Sequence, residues 1–379
     1  MKSLVCVGLT LLLTCGSAAA SPAPLPLGAA SAVLMEKETG TLLYEQAPHQ
    51  PLEPASVTKI MTLLLIFEAM DSGRISPEDM ITVSAYAAGM GGSQVYLKEG
   101  EQMSVRELVK CITVVSGNDA AVAMAEHLSG SESAFVAEMN ARAAQLGMKN
   151  TNFVNCTGLP AQGHLTTAYD IALMSRELIL HHPSIRDYST IWMDAIRGGE
   201  FGLTNTNRLV RFYPGATGLK TGSTDGALYC MSATAERGGM ELIAVVMKSP
   251  TSAQRFEAAK TLLDHGFAAY TLTDVHPEAL PPVDVLLGVA DQVQPQLARS
   301  CRLLVKKGEE SLIQTRITLA SDLEAPVEQG QTIGELTISV GDEVRDTIPI
   351  TAAQAVDRLT IPGIYQRLLR HLMMAGSAH

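Results

Sequence analysis

The order in which strand-like and helical patterns follow one another over residues 29–267 most constrains the fold. Strand-like runs lie near both ends of this segment, at Ala32–Glu36, Thr41–Glu45, Gly226–Ala235 and Glu241–Lys248. Between them, apolar residues recur at helical spacing. This order predicts an α+β or α/β domain, in which an antiparallel sheet brings the two ends of the segment together and a helical cluster fills the middle.

Six helices are predicted in this segment. The second opens with a capping box, Ser104-Val105-Arg106-Glu107, and the last is expected to stop at Gly266. In order, the predicted helices are Thr58–Met70, the helix that opens at Ser104, Asp119–Leu128, Ser133–Leu146, Thr167–Leu180 and Ala253–His265.

The chain changes character after Phe267. Leu272–Pro282 contain His276-Pro277 and Pro281-Pro282, a composition typical of a linker. Residues 283–354 show short alternating runs separated by glycine turns. These features predict a larger first domain at 29–270 and a small all-β domain at 283–354.

Residues 361–376 form an amphipathic helical pattern. One side carries Ile364, Tyr365, Leu368, Leu369, Leu372 and Met373, and the other carries Gln366, Arg367, Arg370 and His371. The segment is too short to cross a bilayer. Its basic polar face favours a position in the headgroup region of an anionic membrane, and a helix docked on the β domain is the alternative.

Residues 1–20 have the pattern of a signal peptide. Lys2 precedes the apolar run Leu4–Leu13, and Ala18–Ala20 fit a small-residue cleavage site. We therefore expect cleavage after Ala20 and an exported protein. An uncleaved anchor is an alternative, and a lipoprotein site at Cys15 is disfavoured because Thr14 is larger than such sites prefer.

Charge and cysteine usage exclude several classes of protein. With 28 Lys and Arg against 39 Asp and Glu, the net charge of −11 argues against nucleic-acid binding. Beyond the signal peptide the cysteines are far apart, at Cys111, Cys156, Cys230 and Cys301. They form no CxxC pair, and the histidines form no HExxH, so a metal site is not expected. Buried free thiols are expected, although an exported protein permits a disulfide.

The first motif whose residues could take part in catalysis is Ser56-Val57-Thr58-Lys59. Ser and Lys three residues apart share one face of a helix. A serine hydroxyl becomes a good nucleophile when a base takes its proton, and a lysine can do so when burial lowers its pKa. The motif predicts Ser56 as nucleophile and Lys59 as base, although a single SxxK also arises by chance.

Two further motifs follow. Ser116-Gly117-Asn118 lies in a break between two predicted helices, and its residues can relay a proton and orient a substrate, or merely cap the next helix. Lys220-Thr221-Gly222 lies on an extended stretch that can hold a substrate carboxylate, or form a polar edge strand. Gly222 would let a substrate backbone approach closely.

The three motifs in this order are the signature of penicillin-binding proteins and serine β-lactamases. Over most of residues 29–267 the sequence closely resembles the D-alanyl-D-alanine carboxypeptidases among the low-molecular-mass penicillin-binding proteins. The resemblance extends beyond the three motifs to Asn205-Thr206-Asn207, Tyr213-Pro214-Gly215-Ala216 and Gly218-Leu219. Residues 283–354 look more loosely like the C-terminal β domain of that family, and the tail resembles its membrane anchor.

The resemblance implies a β-lactamase-like and transpeptidase-like α+β fold and a serine acyl-enzyme mechanism without a cofactor. Ser56 would attack a peptidoglycan stem peptide between two D-alanines, with Lys59 as general base. Ser116 and Asn118 would assist proton transfer and orientation, and Lys220, Thr221 and Gly222 would bind the carboxylate end. The backbone N–H groups of Ser56 and Ser223 would form the oxyanion hole. Penicillins would acylate Ser56, and the enzyme would act at the outer face of the bacterial cytoplasmic membrane or as a secreted protein.

Three other functions are alternatives. A class A β-lactamase needs a Glu that activates the deacylating water; Glu177 is the candidate, but it lies inside a predicted helix, and His181 stands where that motif has Asn. Transpeptidation, with an amine as acceptor, stays open. A catalytically dead wall-binding or penicillin-sensing module is disfavoured because Ser56, Lys59 and Lys220 are intact.

Cys156 stands where a small residue is expected, which leaves a reactive thiol as a minor alternative.

Overall fold

The structure, a computed structural model, describes residues 25–277 and 279–375. The predicted signal peptide at 1–20 and the last residue of the predicted tail helix, 376, lie outside these ranges.

A five-stranded antiparallel sheet forms the centre of the first domain. In spatial order its strands are β2 (Leu42–Gln46), β1 (Ser31–Glu36), β9 (Met240–Ser249), β8 (Leu228–Arg237) and β7 (Ala216–Thr224). Val33 of β1 lies opposite Val245 of β9, so the two ends of the domain meet in adjacent strands. The predicted fold class is confirmed.

Successive residues of β1 point to two separate cores. Val33 and Met35 belong to a core with the helical cluster, whereas Ala32 and Leu34 face a core under the last helix of the domain. The helices are α1 (Lys59–Asp71), α2 (Ala85–Ala88), α3 (Val105–Val114), α4 (Asn118–Ser129), α5 (Glu132–Gln145), α6 (Ala168–His181), α7 (Arg186–Ser189), α8 (Leu209–Phe212) and α9 (Ser252–Ala269). Helix α6 covers one face of the sheet together with the cluster around α1, and α9 covers the other.

Short elements connect these helices. The two-stranded sheets pair β3 (Met80–Thr82) with β4 (Gln102–Ser104) and β5 (Met193–Ile196) with β6 (Phe201–Thr204). The 3-10 turns of this domain are Ala55–Thr58, Pro183–Ile185 and Arg197–Gly199, and a further one, Glu310–Leu312, lies later in the chain. The N-cap half of the predicted capping box is present, since the Ser104 side chain accepts a hydrogen bond from the Glu107 backbone N–H at the start of α3.

Helix α9 runs three residues past Gly266, where the sequence analysis placed its end. A Cβ at Gly266 would lie 2.5 Å from Leu242 Cδ1 and 2.9 Å from Leu34 Cδ2. This glycine therefore allows close packing of the helix on the sheet, and it does not terminate the helix.

The second domain is built of strands, as predicted. They are β10 (Tyr270–Asp274), β11 (Val283–Leu286), β12 (Gln292–Val293), β13 (Pro295–Leu297), β14 (Arg302–Lys306), β15 (Ile313–Leu319), β16 (Asp322–Glu324), β17 (Thr332–Val340) and β18 (Glu343–Ala352). They form sheets in the orders β12-β11-β16, β13-β18-β17-β15 and β10-β14.

The boundary before this domain differs from the predicted linker. The segment Leu272–Pro282 begins in β10, and Leu272 pairs with Leu304 of β14. The buried side chain of Leu272 packs with the α9 core, whereas the prolines that suggested a linker follow the strand.

Helix α10 (Ile361–Ala375) follows the β domain, close to the predicted amphipathic segment. Among the described residues, no helix has the length and hydropathy needed to cross a membrane.

Candidate active site

The 3-10 turn Ala55–Thr58 carries Ser56 and leads directly into α1. Ser56 is half-buried, whereas Lys59, at the first position of α1, is completely buried. Lys59 Nζ lies 3.1 Å from Ser56 Oγ, so the spacing of three residues places the two groups in hydrogen-bond contact as expected. The turn therefore presents a hydroxyl to the cleft with an amine behind it.

Two acceptors complete the surroundings of Lys59. Its Nζ donates to Asn118 Oδ1 at 2.6 Å and to the Thr157 carbonyl at 2.7 Å. Burial lowers the pKa of Lys59 to about 7, because a charged ammonium loses its hydration there. A substantial fraction of this lysine is consequently neutral near pH 7 and able to accept a proton.

The break between α3 and α4 carries the second motif. Ser116 is buried with a positive φ of 65°, and its Oγ has no hydrogen-bond partner among the residues that the structure describes. Both polar atoms of the Asn118 amide have partners, because Oδ1 accepts from Lys59 and Nδ2 donates to the Gly91 carbonyl at 2.7 Å. A buried hydroxyl without a partner is costly, and its place beside the Lys59 network leaves it free to bind a substrate group.

Strand β7 carries the third motif at the edge of the sheet. Lys220 is buried, and its Nζ donates to the Thr221 carbonyl at 3.0 Å. Burial, together with the charges of Lys59 and Arg255, lowers the pKa of Lys220 well below its usual range. The Thr221 hydroxyl donates to Thr206 Oγ1 at 2.7 Å.

Strand β7 approaches the Ser56 turn closely at Gly222. A Cβ at this position would lie 2.8 Å from the Ser56 backbone nitrogen and 3.0 Å from the Pro54 carbonyl oxygen. Ser223 follows in β7 and is exposed opposite Tyr229. The glycine thus allows the two segments to form one narrow cleft, with Ser56 on one side and the motif strand on the other.

Three contributors were not found from the sequence. Thr157 acts through its backbone carbonyl, which no residue type reveals. Gly158 has a φ of 82°, and a Cβ there would lie 1.9 Å from the Ala55 carbonyl oxygen, so a glycine after the polar run at 155–157 is required. Buried Arg255 donates to the carbonyls of Gly222, at 3.2 Å, and Cys230, at 3.4 Å, and thereby holds the motif strand.

The alternative residues Glu177 and Cys156 are poorly suited to this chemistry. Glu177 is in the middle of α6 and forms a salt bridge with Arg142, at 2.6 Å. Cys156 is buried, and burial together with Glu132 raises the pKa of its thiol well above the usual value. A thiol with a raised pKa is a poor nucleophile.

Family comparisons agree with this geometry. The model of the D-alanyl-D-alanine carboxypeptidase family matches residues 17–251, and that of the penicillin-binding protein 5 C-terminal domain matches residues 278–358. The chain belongs to the D-alanyl-D-alanine carboxypeptidase family. A curated relative, D-alanyl-D-alanine carboxypeptidase DacF of Bacillus subtilis, is 42% identical over 335 residues, which are 86% of this chain and 85% of the relative.

Solved structures place this carboxypeptidase among the penicillin-binding proteins. Penicillin-binding protein 5 of Haemophilus influenzae is 30% identical with a TM-score of 0.78, over 88% of this chain and 99% of that one. Penicillin-binding protein D2 of Listeria monocytogenes, in an ampicillin-bound form, is 34% identical with a TM-score of 0.59, over 64% of this chain and 99% of that one. The protein is thus a penicillin-binding serine peptidase of the D-alanyl-D-alanine carboxypeptidase type.

Proposed function

We propose that this carboxypeptidase removes the terminal D-alanine from peptidoglycan stem peptides through an acyl-enzyme on Ser56. The observation that carries the proposal is the placement of the Lys59 amine. It contacts Ser56 Oγ at 3.1 Å, and two fixed acceptors take its hydrogens. A neutral amine held in this way directs its lone pair at the serine hydroxyl.

The reaction has two halves. Ser56 Oγ attacks the carbonyl carbon of the peptide bond between the two D-alanines, and Lys59 takes the hydroxyl proton. The C–N bond then breaks, and the leaving amine receives a proton that originates from Lys59 and passes through Ser116. Water next attacks the ester carbonyl and gives one proton to Lys59. The bond from the carbonyl carbon to Ser56 Oγ then breaks, Lys59 returns the proton to that oxygen, and the shortened peptide leaves.

Several groups would bind the substrate during these steps. The backbone N–H groups of Ser56 and Ser223 would stabilise the oxyanion, which develops in a cleft made narrow by Gly222. Asn118 would orient the substrate amide, while Lys220 and Thr221 would hold the terminal carboxylate. A penicillin would enter by the same route and acylate Ser56.

The test uses the chain from residue 21 onward and its Ser56→Ala variant. A fluorescent penicillin should label the unmodified protein only, and a diacyl-D-alanyl-D-alanine peptide should release D-alanine. Adding a glycine acceptor separates transpeptidation, which would give a glycine-terminated product. Labelling without release of D-alanine would contradict the hydrolytic function, and an unlabelled, folded protein would contradict the acyl-enzyme.

We also propose that the protein is exported and rests on the outer face of the cytoplasmic membrane through α10. Export is supported by the apolar run Leu4–Leu13 and the alanines that follow it. Membrane contact is supported by Ile361 and Tyr365, whose side chains are 84% and 66% exposed. On another side of the helix, Arg367 forms a salt bridge with Asp291 of the β domain, at 2.6 Å. The docked-helix alternative would leave the side chains of Ile361 and Tyr365 largely exposed to water.

Vesicle flotation tests membrane contact. The chain from residue 21 should float with vesicles of anionic lipid at low salt, and the double variant Ile361→Glu, Tyr365→Glu should not. Leu312→Glu, at an exposed site of the β domain, is the matched control for an added charge. Equal flotation of all three proteins would contradict a role for α10.

A further inference from the structure

Asn205-Thr206-Asn207 is a motif to which the mechanism above assigns no role. Both asparagines are buried, and their side chains bind backbone groups. Asn205 donates to the Ile191 carbonyl at 2.7 Å and accepts from the Asn207 N–H at 2.8 Å. Asn207 donates to the Gly218 carbonyl, at 2.8 Å, in the motif strand and two residues before Lys220. The two asparagines therefore act as scaffolding and fix the backbone of the residue between them.

Thr206 is exposed, in contrast to its neighbours. Its N–H donates to the Val114 carbonyl at 3.1 Å, two residues before Ser116. Its Oγ1 accepts from the hydroxyl of Thr221 at 2.7 Å. Thr206 thus lies where the second and third motifs meet, and its side chain is in direct contact with a residue of the carboxylate site.

The hydrogen-bonding capacity of this hydroxyl pair suits a carboxylate. Thr221 and Thr206 share one hydrogen between their oxygens, which leaves the hydrogen of Thr206 for an external acceptor. One carboxylate oxygen can take that hydrogen, and the other can take the hydrogen of Thr221 if the bond between the two hydroxyls opens when the substrate binds. Buried Arg255 lies nearby, where it donates to the Gly222 carbonyl, and it forms no salt bridge among the described residues, so its positive charge favours a bound anion.

We propose that Thr206 is a second hydroxyl of the site that binds the terminal carboxylate of the substrate, beside Thr221. This inference rests on the proposed function and narrows it to peptides that end in a free carboxylate. The scaffold of Asn205 and Asn207 positions the hydroxyl before substrate arrives. Its contribution should appear in substrate binding and not in the proton transfers at Lys59.

The test compares Thr206→Val with Thr206→Ser, which keeps the hydroxyl. For the diacyl-D-alanyl-D-alanine peptide, Thr206→Val should lower kcat/KM by about tenfold or more, mainly through KM, as expected for a hydrogen bond to a charged group. Thr206→Ser should restore the value to within about threefold. Thr204→Val, at an exposed position of β6 two residues before Thr206, is the matched control for losing a threonine hydroxyl.

A second measurement is independent of peptide hydrolysis. Acylation by benzylpenicillin, which carries a carboxylate, should slow about tenfold in Thr206→Val, while acylation by its methyl ester should stay unchanged. Equal losses for acid and ester, or no loss with either, would overturn the assignment. If the unmodified protein hydrolysed no peptide but Thr206→Val still lost the acid-specific rate, the proposed function would fail and the role of Thr206 would stand.

Discussion

Lys59 Nζ lies 3.1 Å from Ser56 Oγ, and the other two partners of this nitrogen, Asn118 Oδ1 and the Thr157 carbonyl, can only accept hydrogen bonds. A neutral amine has two hydrogens and one lone pair, which match two acceptors and one hydroxyl. An ammonium would instead use Ser56 as a third acceptor and could not take its proton. The site is therefore ready for acylation when Lys59 is neutral.

The first prediction is that acylation by penicillin rises with pH through about 7. Burial lowers the pKa of Lys59 to about 7, so the protonated, inactive form predominates below that pH. The second-order rate should fall about tenfold per pH unit well below pH 7 and level off above pH 8. Stopped-flow fluorescence with a labelled penicillin from pH 5.5 to 9 measures the profile. A flat profile, or a midpoint near 10, would show that Lys59 is not the base.

The second prediction concerns Asn118→Asp. A carboxylate 2.6 Å from Nζ would stabilise the ammonium and raise the pKa of Lys59 by about 1–3 units. The acid limb of the acylation profile should move to higher pH, so activity at pH 7 drops and partly recovers at pH 9. Asn150→Asp, at an exposed position, adds the same charge and should leave the midpoint in place. An unmoved midpoint in Asn118→Asp would argue against the contact with Lys59.

Part of this site could be predicted from the sequence, because side-chain identity and helical spacing carry the information. The distance between Ser56 and Lys59 follows from local geometry, and the break before Asn118 follows from the pattern of two helices. The carbonyls of Thr157 and Gly91 could not be predicted, because every residue has a carbonyl and only the tertiary fold brings these two to the lysine and the asparagine.

The fold, too, could be predicted only in part from the sequence. Alternating and helical periods predicted the sheet at the chain ends and the helices between them. The end of α9 was wrong because a glycine can stop a helix or allow close packing, and Gly266 does the latter against Leu34 and Leu242. The predicted linker missed β10 because nearby prolines dominate the composition, whereas the pairing of Leu272 with Leu304 depends on a distant strand.

The third prediction is slow reaction of all four described cysteines with a thiol reagent. Burial raises the pKa of Cys111 to about 12 and that of Cys230 to about 11, which leaves little thiolate at pH 8. None of the four forms a disulfide in the described part of the chain, and Cys301 is the one with measurable exposure. Titration with a chromogenic disulfide should therefore detect Cys301 first and all four in guanidinium. Fast native labelling of Cys156 would instead support the reactive-thiol alternative.

The fourth prediction is that Gly222→Ala separates catalysis from folding. The new Cβ would lie 2.8 Å from the Ser56 nitrogen, 2.9 Å from the Val57 nitrogen and 3.0 Å from the Pro54 carbonyl oxygen. These are backbone atoms, so the turn and the motif strand must move apart. Overpacking of this kind lowers the free energy of unfolding by about 1–3 kcal/mol, which a domain of this size tolerates.

The effect on chemistry should be larger than the effect on folding. A shift of a few tenths of an ångström would move apart the backbone N–H groups of Ser56 and Ser223, which are the proposed donors to the oxyanion, and losing one such donor costs about 100-fold or more in rate. Penicillin acylation should therefore fall by that order, while thermal unfolding measured by circular dichroism stays cooperative and moves by a few degrees. Gly202→Ala, on β6 with no heavy atom within 4 Å of the added Cβ, should change neither quantity. Normal acylation in Gly222→Ala would mean that strand β7 does not supply the oxyanion contact, because the displaced cleft would still react.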